Sequence, residues 1–128
     1  MIYVFLGSEI SFLKKKIDET ISSLKINNII NYDFSDSSMI DIINEVNYVD
    51  LFNEKKLIIV NNFSFKKLKE KDENILIKYI DNMNDNVIIF KCIDEKLDSK
   101  DNLIKKIKDK CNIVEVVKMD YKNTHEFI

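Results

Sequence analysis

The chain has 128 residues, 45% of them hydrophobic and 33% charged, a balance that suits one folded domain with a real core. Its 20 basic residues, all lysine, face 22 acidic ones, and a net charge of -2 excludes the global basic field that drives binding to phosphate backbones. With one histidine, His125, and two cysteines, Cys92 and Cys111, at no metal-ligand spacing, neither a catalytic triad nor a zinc site can be assembled.

The chain opens on an apolar run that predicts a strand over residues 3–6. No basic segment precedes it, and Gly7 and Glu9 follow too soon for a signal peptide. No apolar run approaches the length of about 18 residues that a membrane helix needs, so a cytoplasmic protein is expected. Leu13, Ile17, Ile21 and Leu24 share one helical face, with Ser8 as the expected cap and Glu9 in the first turn. A second strand is predicted over 29–32. The next helix carries Met39, Ile42, Ile43 and Val46, and Ser38 with Asp41 three residues later fits a capping pattern.

Residues 57–60 and 87–90 are uninterrupted apolar runs, as in strands covered on both faces. Between them Leu76, Tyr79, Ile80 and Met83 form a third helical stripe with Asp72 as its expected cap. Lys66, Lys67, Lys69 and Lys71 read as a solvated face because Glu70, Asp72 and Glu73 offset them. Leu103, Ile104 and Ile107 form a fourth stripe, capped by Ser99, before a last strand over 113–117. Strands alternating with amphipathic helices predict an α/β domain: three layers, a mostly parallel five-stranded sheet and helices on both faces. The cysteines read as small buried hydrophobes.

A strand, a glycine and a helix in succession raise the question of a phosphate-binding loop. Such a loop needs G-x-x-x-x-G-K-[ST], so that backbone N–H groups, a lysine and a hydroxyl can hold phosphates and magnesium. Gly7 is the only glycine, and Ser8-Glu9-Ile10-Ser11-Phe12-Leu13 follows it. The run over 57–60 ends in Asn61-Asn62 where a nucleotide hydrolase places the carboxylates that hold its metal. The P-loop-like architecture therefore lacks a functional P-loop. No cofactor, no catalytic residue and no metal ligand is expected, and the domain must act through its surface.

Tyr48-Val49-Asp50-Leu51-Phe52-Asn53-Glu54-Lys55-Lys56 falls between a helical stripe and a strand, with two bulky apolar residues, Leu51 and Phe52, outside either period. Periodicity allows two readings: the pair plugs the end of the sheet, or it projects as an anchor for a partner.

Residues 1–117 resemble the amino-terminal domain of the bacterial DNA polymerase III delta subunit. Ile2-Tyr3-Val4-Phe5-Leu6-Gly7-Ser8-Glu9 is similar to that family's first strand and degenerate loop, and Ile30-Asn31-Tyr32-Asp33 to its second strand. Leu51-Phe52-Asn53-Glu54-Lys55-Lys56-Leu57-Ile58-Ile59-Val60 is similar to its Leu-Phe, lysine and aliphatic-strand signature, and Lys96-Leu97-Asp98 to the opening of its fourth βα unit.

The resemblance implies an AAA+-like domain over residues 1–120 that does not bind ATP, with 121–128 leading into the next domain. It implies a clamp-loader subunit in DNA replication that is itself no enzyme, within a DNA polymerase III holoenzyme. Leu51 and Phe52 would enter a pocket of the β sliding clamp and help to open it, with Tyr48, Val49 and Asp50 widening the contact and the helix over 38–49 pressing on the ring. Tyr48 departs from the glutamine that clamp-docking peptides carry at that position. Other loader subunits would be met through carboxy-terminal domains, DNA only indirectly, and a membrane not at all. Three other classes fit the alternation: a degenerate P-loop or AAA+-like interaction domain without clamp binding, a degenerate P-loop enzyme or kinase remainder, and a phosphoacceptor receiver, which lacks its acidic residues here.

Overall fold

The computed structural model describes residues 1–48, 54–93 and 102–116. In chain order the elements are β1 (Ile2–Gly7), α1 (Ile10–Leu24), β2 (Asn28–Asp33), α2 (Met39–Asn47), β3 (Lys56–Asn61), a 3₁₀ turn (Phe65–Lys67), α3 (Glu70–Asp81), β4 (Val87–Ile93), α4 (Asn102–Lys110) and β5 (Asn112–Val116). The five strands form one sheet in the order β2-β3-β4-β1-β5, and every pairing is parallel.

Alternation along the strands sends their side chains into two cores. Phe5, Leu57, Ile59, Val87 and Ile89 pack with Leu13 and Ile17 of α1 on one face. Ile2, Val4, Leu6, Ile58, Val60, Ile88, Phe90 and Cys92 pack on the other beneath α2, α3 and α4. The central strands carry unbroken apolar runs, Leu57–Val60 in β3 and Val87–Phe90 in β4, because both faces are covered, whereas the first five residues of edge strand β2 alternate half-buried and exposed. The three layers expected from the sequence are present. No helix among the described residues is long and apolar enough to cross a membrane.

Several helix starts differ from the sequence expectation. The residue before α1 is Glu9, not Ser8, and its carboxylate accepts from Ser11 Oγ at 3.3 Å without capping the helix. The residue before α3 is Lys69, not Asp72: Phe65 and Leu68 are buried and fix the chain there, so the helix begins earlier. Glu70, Asp72 and Glu73 then all fall in the first turn, where the helix dipole favours negative charge. Ser99 lies outside the described residues. Met83 lies beyond the last turn of α3 yet packs against the core. Cys92 is buried, while Cys111 is half-buried, and burial pushes its thiol up to about 11.

Candidate functional site

In a parallel sheet every strand begins at one pole and ends at the other, and α/β proteins usually bind ligands at the strand ends. That pole is occupied here by its own side chains. Gly7 ends β1 without a left-handed φ, and its lack of a side chain serves packing: a Cβ there would stand 2.8 Å from the Val116 carbonyl of β5. Asn61 donates from Nδ2 to the Tyr32 carbonyl at 3.3 Å. Asn62, at φ 57, donates to Asp33 Oδ2 at 3.0 Å, in the left-handed region that asparagine tolerates.

The other Asp33 oxygen accepts from the Ser35 N–H at 3.0 Å and from the Ser35 hydroxyl. These bonds from Ser35, with that from Asn62, hold the Asp33 carboxyl below the ordinary carboxylate range. Asn61 and Asn62, at the positions where a nucleotide hydrolase places its metal-holding carboxylates, are engaged in joining β2 to β3. No group of three His, Cys, Asp or Glu among the described residues could hold a metal ion.

The starting pole carries a different assembly. α2 arrives there from the strand-end pole, where Ser38 caps it, accepting from the Asp41 N–H at 3.3 Å while its hydroxyl donates to Asp41 Oδ2 at 2.8 Å. Met39, Ile42, Ile43 and Val46 hold the helix on the sheet, and it ends at Asn47, short of the expected residue 49. Tyr48 then turns to extended backbone with 62% of its surface exposed. The next strand, β3, starts at Lys56, which is only 3% exposed. The Lys56 ammonium donates to Glu45 Oε2 at 2.8 Å, to the Glu45 carbonyl at 3.1 Å and to the Tyr48 carbonyl at 2.8 Å. The Tyr48 ring lies against it, with the ammonium 4.6 Å from the ring centroid.

Two asparagines complete the knot. Asn86 accepts from the Lys56 N–H at 2.9 Å and donates to the Val46 carbonyl at 2.8 Å. Asn84 donates to the same carbonyl at 2.8 Å and accepts from the Tyr79 hydroxyl at 3.1 Å. The amino terminus donates to the Asn84 and Asn86 carbonyls at 3.2 and 2.9 Å, and burial lowers the pKa of that amine.

Of the residues singled out in the sequence, Tyr48 is on this pole and exposed. Val49, Asp50, Leu51 and Phe52 lie outside the described residues, but both neighbours of that segment, Tyr48 and Glu54, are described. Lys56, Glu45, Asn84 and Asn86 were not singled out as functional. The available signal was a lysine opening a strand in which the next four residues are all apolar.

The family model described as DNA polymerase III, delta subunit matches residues 3–117. Among solved structures, the Bacillus subtilis DNA clamp loader delta protein (YqeN) superposes with a TM-score of 0.73 at 19% identity, over 98% of this chain and 41% of that one. At that identity the likeness speaks for the fold, and the chain spans less than half of that relative's length. No curated protein sequence matches the chain.

Proposed function

The chain belongs to the DNA polymerase III delta subunit family, and on that premise we propose that residues 1–120 are the clamp-gripping domain of a clamp loader, working in the cytoplasm during DNA replication. Leu51 and Phe52 enter an apolar pocket of the β sliding clamp. Tyr48, Val49 and Asp50 widen the contact, and α2 presses on the ring. The observation that carries this reading is where α2 hands over to β3: Tyr48 ends the helix with an exposed ring, at the pole away from the one a nucleotide would use.

The mechanism is binding alone. A protein shifts a conformational equilibrium only by its differential affinity for the two states, so the domain must bind the open ring better than the closed one. It is not itself a polymerase, and ATP hydrolysis and assembly with the other loader subunits are assigned to other parts of the complex. DNA is met only through the clamp.

Burial of a Leu and a Phe contributes on the order of 1.5–3 kcal/mol each, so losing both weakens binding at least about a hundredfold. Titration calorimetry of Leu51→Ala/Phe52→Ala against the organism's own clamp should show this loss with the melting temperature kept. Unchanged affinity would leave an AAA+-like interaction domain that does not grip the clamp through this pair.

A further inference from the structure

Lys56 is the one buried charged residue among the described residues. From its surroundings we infer that it is a positioning residue, a strut that fixes the chain on both sides of the 49–53 segment so that the anchor pair is presented from a rigid base. The inference rests on the clamp reading of that segment.

An ammonium taken out of water is costly unless each of its three N–H groups finds an acceptor. Lys56 meets this condition with Glu45 Oε2, the Glu45 carbonyl and the Tyr48 carbonyl. Two of these are backbone carbonyls at the end of α2, where a helix leaves acceptors unpaired and carries partial negative charge. One charge therefore joins the last turn of the helix to the first residue of β3. Asn86 repeats the link through backbone, bridging the Lys56 N–H and the Val46 carbonyl.

Stability alone does not account for a lysine here. Buried ion pairs are commonly no more stabilising than apolar residues of similar volume, and the next four residues of β3 are all apolar. The lysine supplies geometry that an apolar residue cannot: three directed bonds to the stem of the anchor segment. A segment whose ends are fixed before docking loses less conformational freedom when it binds, and affinity rises accordingly.

Lys56→Met keeps an unbranched apolar stem and removes the charge. In the full chain it should weaken binding to the organism's clamp roughly tenfold. Amide hydrogen exchange should accelerate over residues 48–55 while β1 and β4 exchange as in the wild type. Glu45→Gln alters a partly exposed side chain, leaves the core intact, and should move both readouts in the same direction by a smaller factor. Wild-type affinity in both variants overturns the inference. So does acceleration spread evenly over β1 and β4, which marks lost stability and not lost position. A wild-type chain that does not bind the clamp sinks the clamp reading instead, and the exchange measurement still decides the role of Lys56.

Discussion

Gly7→Ala tests whether the only glycine in the chain serves packing or an anion. The added Cβ would stand 2.8 Å from the Val116 carbonyl and 3.4 Å from the Val116 Cβ, with Leu13 Cδ1 at 3.5 Å. Restoring ordinary contact with that carbonyl requires a movement of about 0.6 Å between β1 and β5, an overpacking strain that typically costs about 1–3 kcal/mol. Gly7 has no left-handed φ, so alanine gains about 0.4–1 kcal/mol from a less flexible unfolded chain. The net expectation is a destabilisation of about 1–2 kcal/mol, a fall of several degrees in melting temperature. Urea unfolding followed by circular dichroism measures it, with and without Mg-ATP. The difference between the two proteins should be the same in both conditions. Equal stability would refute the packing argument, and a nucleotide-induced rise confined to the wild type would restore a phosphate-binding role.

Phe63 is 2% exposed, with its ring centroid 4.9 Å from that of Phe34, 4.8 Å from Phe65 and 4.4 Å from Phe90; Phe63→Ala should cost about 3–5 kcal/mol in urea unfolding. Ser38→Ala removes the cap of α2 and should cost about 1 kcal/mol by the same assay. Alkali should destabilise the fold through two groups whose folded pKa is raised by burial: Cys111, from 9.0 to about 11, and Tyr79, from 10.0 to about 12. Their contribution is intact below pH 9 and is lost as pH rises toward 12, because the unfolded chain releases these protons first. A pH series of unfolding midpoints that stays flat across that window would contradict this.

The strands and helices were legible because burial on both faces leaves a plain mark: unbroken apolar runs for β3 and β4, and stripes such as Met39, Ile42, Ile43 and Val46 for α2. The caps were less so. Ser8 and Asp72 have good capping side chains, but tertiary contacts at Phe65 and Leu68 set where α3 begins. The aromatic cluster of Phe34, Phe63, Phe65 and Phe90 was hidden by its context. Phe65 and Leu68 sit among Lys66, Lys67, Lys69 and Lys71, and the four lysines are exposed while the two apolar side chains turn inward. Lys56 was the hardest to read, because a charged residue at a strand start ordinarily marks a solvated end, and its acceptors come from residues 8 to 11 positions earlier.

The two poles of the sheet are built differently. At the strand ends, Asn61, Asn62 and Asp33 bond to one another's turns, so an anion or metal would have to break the junction of β2 and β3 to enter. At the strand starts, the only deeply buried charge among the described residues lies where α2 passes to β3. A load applied between Tyr48 and Glu54 reaches the Glu45 and Tyr48 carbonyls on one side and the Lys56 backbone on the other. From Lys56 it enters β3, which is flanked by β2 and β4 and so spreads the load over the sheet. Lys56 and Asn86 tie the end of α2 to the start of β3 by direct hydrogen bonds. On the clamp reading proposed above, such a tie is what a domain needs to hold a ring in a less favourable shape by binding energy alone.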